Sequence, residues 1–292
     1  MNPPCPVTAV IPVHNRADLL TRLLASMRAQ TVAFDEVIVV DNASTDGAAD
    51  VAIAAACRVI PMGENVGFAR AVNRGWREAR PGWVAVLNSD VELDSRWLER
   101  LLAGVGDAAF ATGTIYIAAS RGSRNEVLDG TYDLVSRAGC AWRAGHGEAA
   151  HLINDAGSAS PRAIAITPAT ACIYRRDVLA RLGGFEESFG SYLEDVDLGL
   201  RCVNEGLGGV WIPDALAWHQ GSATFGRWDA RVVRLTSRNQ VRLICRHYDR
   251  ALFRSCLRAI MTGQLLWGLV ALRHGAGPVS YTHLTLPTNR EV

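Results

Sequence analysis

The first part of the chain alternates short apolar runs with longer stretches of helical period. Val7 to Pro12, Glu36 to Val40, Arg58 to Pro61 and Trp83 to Leu87 are the runs. Trp83 to Leu87 is uniformly apolar, as expected of a strand covered on both faces in a parallel sheet. After the first run Leu19, Leu20, Leu23, Leu24 and Met27 recur at i, i+3, i+4 and i+7 spacing, with Asp18 in the first turn. Ser44 or Thr45 is placed to cap an alanine-rich helix after the second run. Asn65-Val66-Gly67-Phe68 leads into a third helix, from Ala69 to about Ala79. The repeated alternation of strand and helix predicts an α/β protein built on a doubly wound, mostly parallel sheet flanked by helices.

Beyond Asp94 the pattern predicts a helix over Ser95 to Val105 and a strand over Phe110 to Ile117. Ser120 to Ser160 has poor periodicity, which fits either a substrate loop or a mobile excursion. A strand over Ala163 to Tyr174 and a helix over Arg175 to Leu182 come next, the helix stopped by Gly183-Gly184. Phe185 to Tyr192 reads as a loop. Leu193 to Glu205 reads as a helix with Glu194, Asp195 and Asp197 in its first turn, where the helix dipole favours acids. Gly209 to Ile212 and Ala215 to His219 read as two short strands. Ala230 to Tyr248 is a basic amphipathic helix and Leu252 to Leu272 a more apolar one. The longest apolar tract, Ala259 to Leu272, is interrupted by Thr262, Gly263 and Gln264 and reads as too short to span a bilayer. From Val279 onward periodicity is lost, and the string resembles translated adapter read-through.

Composition narrows the classes. With 292 residues and 49% hydrophobic content, the chain can bury one large core or two modest ones. A net charge of +1 gives no field to gather nucleic acid. Seven scattered cysteines without a CxxC pair point to reduced thiols and a cytoplasmic setting. No basic-then-apolar leader opens the chain. A P-loop and a GxSxG elbow are both missing, which disfavours kinases and α/β-hydrolases.

The candidate chemistry begins where the Trp83–Leu87 run breaks into Asn88-Ser89-Asp90-Val91-Glu92. Polar groups just past the carboxyl end of a buried strand lie where open α/β sheets collect ligands. Oxygen ligands at alternate positions can hold Mg2+ or Mn2+ together with substrate phosphates. Taken alone, the pattern equally describes a strand followed by a polar turn.

Six segments in order then carry a family resemblance: Val10-Ile11-Pro12-Val13-His14-Asn15, Val39 to Gly47, Asn65 to Phe68, Leu87 to Asp90, Gly183 to Glu187 and Glu194 to Leu198. Over roughly residues 7 to 248 the chain resembles inverting family 2 glycosyltransferases of the GT-A fold, rhamnosyltransferase-like members especially. The resemblance implies a nucleoside-diphosphate sugar donor, a glycan or lipid-linked saccharide acceptor, Mg2+ or Mn2+, and single displacement. With no internal repeat and no linker, the chain reads as a catalytic domain over 1–228, a C-terminal helical extension over 229–278 and a non-native tail over 279–292. Within the catalytic domain, the nucleotide-sugar half covers about 1–117 and the acceptor half about 118–228.

In the resemblance Asn88-Ser89-Asp90 stands at the family's Asp-x-Asp motif. Asp90 becomes a metal ligand, Asn88 replaces the first aspartate near the ribose, and Glu92 is a second-choice ligand. His219 completes the metal set. Asp195 is the general base, with Glu194 orienting it, and Asp197 reads as a helix-end charge. Pro12, His14, Asn15, Asp41, Asn65, Gly67, Arg70, Asn73 and Ser89 fall on the nucleotide-sugar side. Gly183 to Glu187 is expected to shape the acceptor cleft, and Trp142, Trp211, Trp218 and Trp228 are available as sugar platforms. The arginine-rich helix and the apolar one after it fit either peripheral contact with the cytoplasmic face of an anionic inner membrane or ordinary packing against the sheet domain. The competing classes are a nucleotidyltransferase, which would need a Gly-rich basic phosphate loop near Val13, and a non-catalytic nucleotide-sugar binder, which would show damaged acid positions.

Overall fold

The computed structural model describes residues 6–150, 160–221 and 229–274. Trp228, residues 151–159 of the irregular segment and the tail from 279 lie outside the described residues. Strands β1 (Val7–Val13), β2 (Glu36–Asp41), β3 (Arg58–Pro61) and β4 (Trp83–Leu87) alternate with helices α1 (Ala17–Arg28), α2 (Ala48–Ala54) and α3 (Phe68–Glu78). These four strands are mutually parallel, in the order β3-β2-β1-β4. The chain therefore leaves β1 toward β2 on one side and returns to β4 on the other, which opens a crevice at the strand ends.

Successive side chains explain why the strands read as unbroken apolar runs. Val7, Ala9 and Ile11 pack with Leu20 and Leu23 of α1 and with Leu98 and Leu101 of α4 (Trp97–Gly104). Val10, Ile38 and Val40 pack on the other face with Val72 and Trp76 of α3. Both faces are covered, so neither can tolerate polar alternation.

The sheet continues past β4 with a change of direction. Strand β11 (Ala171–Arg175) is antiparallel to β4 and to β6 (Phe110–Ile117). Strand β12 (Gly209–His219) runs parallel to β6, and β5 (Val91–Leu93) and β10 (Arg162–Ile164) pair antiparallel with β12. Three sequence expectations change here. The expected strand over 163–174 is two strands, β10 and β11. The two short strands expected after Gly209 are one, interrupted by a register shift between Trp211 and Leu216, where Pro213 cannot donate to the ladder. The irregular segment also carries structure: β7 (Leu128–Gly130) pairs with β6, and β8 (Asp133–Val135) with β9 (Ala141–Arg143).

Two compact units are distinguished. One comprises Met1–Leu134, Trp142–Gly190 and Glu194–Gly221, and holds the sheet with α5 (Arg176–Leu182) and α6 (Glu194–Asn204). The other comprises Val135–Ala141, Ser191–Leu193 and Ser222–Val292. In this second unit α7 (Ala230–His247) and α8 (Arg250–Arg273) start on the aspartate caps Asp229 and Asp249. Trp267 of α8 donates to Ser237 Oγ of α7 at 2.8 Å, and Asn239 donates to the carbonyls of Ser191 and Tyr192. The apolar tract that reads as too short to span a bilayer belongs to a 24-residue helix that is long and apolar enough to do so, by length and composition alone.

Gly113 sits opposite the β12 register shift, where a Cβ would come within 1.7 Å of the Ala215 carbonyl oxygen. Gly113→Ala is expected to force these strands apart and destabilise the protein by about 1–3 kcal/mol or more. A thermal midpoint equal to wild type would contradict this.

Candidate active site

The carboxyl ends of β1 and β2 carry a set of loops bonded to one another. His14 Nδ1 donates to the Asn42 carbonyl at 2.8 Å, and Asn15 donates its N–H to Ser44 Oγ at 2.9 Å while its side-chain oxygen receives Thr45 N–H at 2.8 Å. Asp46 accepts from the backbone N–H groups of Arg16, Ala17 and Ala48, so one carboxylate caps the starts of both α1 and α2. The capping role expected of Ser44 or Thr45 thus falls to Asp46. Ser44 N–H instead donates to Asp41 at 3.0 Å, and Asp41 is buried. Asn42 reaches the third loop, donating to Asn65 Oδ1 at 3.0 Å and accepting from Val66 N–H at 2.9 Å. Pro12, His14, Asn15, Asp41 and Asn65 are thus gathered at the carboxyl ends of β1 and β2.

Gly67 opens α3 at φ 84° and ψ 171°, a backbone state reserved for glycine, and a Cβ there would lie 3.0 Å from the Gly190 carbonyl oxygen. Two residues of α3 leave the expected set. Asn73 is buried, with its amide shared among Phe185, Trp76 and Glu187, so it secures packing and has no group left for a ligand. Arg70 is half-exposed and pairs with Glu187 at 3.1 Å rather than standing free for a diphosphate. The Gly183 to Glu187 segment is likewise tied to α3: Gly184 abuts Asn73 and Trp76, and Phe185 is buried against Phe68 and Tyr174. It braces the helix.

At the end of β4 the chain turns through Asn88, Ser89 and Asp90, all half-buried. Asp90 Oδ1 lies 3.2 Å from His219 Nε2 at the end of β12. Asn88 N–H donates to the Thr170 carbonyl at 2.9 Å, and the adjacent Ala169 N–H donates to Asp195 Oδ2 at 3.2 Å. The dipeptide Ala169-Thr170 therefore joins the Asn88–Asp90 turn to the first turn of α6. Asp195 remains half-buried, with its other oxygen accepting from Val196 N–H at 2.8 Å. Glu194 is buried, and its Oε2 has no partner among the described residues. Asp197, read from the sequence as a helix-end charge, is fully buried and paired with Arg201 at 2.8 Å.

Four charged residues of the irregular segment complete the cluster, and no sequence motif points to them. Asp129 Oδ2 lies 3.0 Å from His219 Nδ1 and 2.6 Å from Arg143 Nη1. Arg143 Nε lies 3.4 Å from Asp133, and His146 Nδ1 donates to the Asp129 carbonyl at 2.8 Å. The result is a chain of charges, Asp90–His219–Asp129–Arg143–Asp133, whose last member interacts electrostatically with Asp195. Low local periodicity conceals such residues. The only signal in the sequence is acidic and basic side chains flanking a β-branched and aromatic stretch.

Burial sets the protonation behaviour. It pushes Asp133 up to about 7, with Arg143 opposing and Asp195 adding to the rise. It raises Glu194 well above the carboxylate range, helped by the charge of Asp195. Burial opposes charge on His219, but the bonds from Asp129 and Asp90 prevail and bring it up to about 9. Burial would also raise Asp129, yet its hydrogen bond with His219 and the charge of Arg143 hold it well below the usual range.

The donor set suits a hard divalent cation. One carboxylate and one imidazole converge, and the side-chain oxygen of Asn88 is buried without a partner among the described residues. Among the described residues no group of three or more His, Cys, Asp or Glu is placed to hold a metal ion. Glu92 does not join, because Arg22 and Arg121 engage it. Trp211 and Trp218 are buried packing residues, Trp218 under the Arg121 guanidinium at 4.0 Å; Trp142 is 52% exposed.

This fold, with its acids gathered past the strand ends, is that of a GT-A glycosyltransferase. The family model "Glycosyl transferase family 2" matches residues 8–183, and the chain belongs to that family. It is 28% identical over 254 residues to an N-acetylglucosaminyl-diphospho-decaprenol L-rhamnosyltransferase of Mycobacterium tuberculosis, covering 76% of this chain and 79% of that one. It is also 28% identical to a pre-mycofactocin glycosyltransferase of the same organism, spanning 98% of this chain but only 57% of that relative. A mannosyltransferase from Pyrobaculum calidifontis, solved with GDP-Man and Mn2+, shares the fold at a TM-score of 0.60 and 17% identity, over 96% of this chain and 74% of that one. GalNAc-T7, solved with UDP, GalNAc and Mn2+, does so at 0.66 and 15%, over 86% and 49%.

The charges predict two outcomes. Asp133 takes up a proton on folding between its ordinary 3.8 and about 7, so its contribution to stability falls as pH rises through that window. The contribution of His219 is complete below its ordinary 6.5 and is lost as pH climbs to about 9. Melting curves of metal-free protein should therefore decline from pH 4 to 9, and His219→Gln should flatten the upper part. Arg143→Met, which strands two buried carboxylates, should cost about 3–5 kcal/mol, read as a lower denaturation midpoint.

Proposed function

We propose that this glycosyltransferase moves a sugar from a nucleoside-diphosphate donor, dTDP-rhamnose-like or a UDP-sugar, to a hydroxyl of a cell-envelope glycan or lipid-linked saccharide, with inversion. The observation that carries the reading is the Ala169-Thr170 bridge, which ties the turn of Asn88 and Asp90 to the first turn bearing Asp195. Leaving-group and base chemistry must flank one sugar–phosphate bond, and these two elements are joined through two residues.

The interlocked loops at Pro12, His14, Asn15, Asp41, Asn65 and Gly67 receive the nucleotide. Asp90 and His219 hold Mg2+ or Mn2+, with Asn88 oriented beside them. A bound divalent cation neutralises charge on the departing diphosphate. Asp195, half-buried and held by two backbone N–H groups, accepts the proton of the attacking hydroxyl. Glu194, the preceding residue of the same first turn, orients it. The lipid-linked acceptor finds support in the decaprenol-bearing name of the rhamnosyltransferase relative.

Asp195→Asn is expected to abolish transfer while UDP or dTDP binding persists; near wild-type turnover would remove the base assignment. A donor panel (dTDP-rhamnose, UDP-glucose, UDP-galactose, GDP-mannose) assayed by nucleoside-diphosphate release with and without Mn2+ should single out a dTDP- or UDP-sugar. Release that ignores EDTA would defeat the metal reading.

The helical unit acts at the cytoplasmic face of an anionic membrane. Residues 229–274 contain nine arginines against two aspartates. On α8 Arg250, Arg254 and Arg258 are followed by exposed Met261, Leu265, Leu266, Leu269 and Leu272, a charged entry leading to an apolar end. Sedimentation with phosphatidylglycerol vesicles, lost in high salt and weak with phosphatidylcholine, is the expected result. Equal binding to both lipids would refute the electrostatic part.

A further inference from the structure

We propose that Asp129 is a positioning residue that sets the orientation and tautomer of His219 for cation binding. The proposal rests on the reading of Asp90 and His219 as the cation's protein ligands and goes beyond it, since Asp129 belongs to none of the matched motifs.

The backbone brings the two residues together. Strand β6 carries β7 along one edge, with Tyr116 opposite Leu128 and Ile115 opposite Gly130, and β12 along the other, with Trp218 opposite Tyr116 and His219 opposite Ile117. Asp129 and His219 thus flank the same stretch of one strand. The carboxylate is 10% exposed and held by Arg143 Nη1 at 2.6 Å and His219 Nδ1 at 3.0 Å, while His146 Nδ1 donates to the backbone carbonyl of the same residue at 2.8 Å.

An imidazole has two nitrogens, and the partner of one decides what the other offers. Asp129, ionised beside Arg143, can only accept. With a cation taking the Nε2 lone pair beside the Asp90 carboxylate, whose Oδ1 lies 3.2 Å from Nε2, a neutral His219 keeps its one hydrogen on Nδ1, donated to Asp129. A carboxylate behind a ligating histidine fixes the ring and strengthens it as a ligand. The Arg143 contact prevents Asp129 from turning away.

The test uses the whole protein, with Mg2+ or Mn2+ and UDP as probes. In 15N-histidine-labelled wild type with Mg2+ and UDP, long-range 1H–15N spectra should show His219 protonated at Nδ1 with Nε2 shifted by the cation. Protonation at Nε2 would overturn the proposal, and this measurement needs no variant. In parallel, free Mn2+ is counted by electron paramagnetic resonance in the presence of UDP. Asp129→Asn should weaken Mn2+ binding about 10- to 100-fold with UDP binding in EDTA unchanged. Wild-type Mn2+ affinity in Asp129→Asn, alongside loss in His219→Ala, overturns the positioning role and leaves the cation site standing. Wild-type affinity in both variants overturns the cation site and the proposal together.

Discussion

The acidic half of the site depends on one half-buried guanidinium. Isolated carboxylates in a protein interior cost several kcal/mol each, and Asp129 and Asp133 are both buried. Arg143 faces the pair at 2.6 and 3.4 Å, and that compensation lets the chain keep acids at both of its working ends. One carboxylate remains ionised beside His219; the other sits near Asp195 with its proton affinity raised toward neutrality. The two differ by their partners, not by their chemistry. Asp129 has a histidine and the nearer arginine contact, whereas Asp133 has the longer one and a neighbouring acid.

The donor half is organised by neutral, short-range bonds instead. Asn15, Asn42, Ser44 and Asp46 join three strand-end loops to each other through backbone N–H groups. Loops that would otherwise carry unsatisfied amides find their partners locally, so the crevice at the switch point of the sheet is fixed by the protein itself. The Ala169-Thr170 dipeptide, just before β11, the strand that reverses direction within the sheet, joins the Asn88–Asp90 turn to the first turn of α6.

Periodicity makes the parallel core legible in the sequence. Two-sided burial of β1, β2 and β4 leaves apolar runs, and one-sided burial of α1 leaves its regularly spaced leucines. Asp90, His219 and Asp195 are legible only through motifs in order, because a lone acid or histidine carries no spacing of its own. Asp129, Asp133 and Arg143 are not legible, since their relation is created by β7 pairing with β6 and by the β8–β9 ribbon, contacts that leave no local period. Asn73 and Arg70 read as nucleotide contacts because they lie just beyond Gly67 on a helix. The rotation of α3 turns Asn73 into the core and Arg70 toward Glu187, and a motif read linearly does not report that rotation. The β12 irregularity resembles two strands because Pro213 interrupts the ladder without ending the strand.

The double cap by Asp46 has a consequence for how the enzyme could diverge. Because α1 and α2 begin on the same carboxylate, the crevice floor between them cannot be re-angled by changing one loop; both would lose their first-turn partner together. Change in this crevice is therefore easier to reach at side chains on its rim than at the shared cap. Evolution of specificity would proceed by exchanging fittings on a fixed frame.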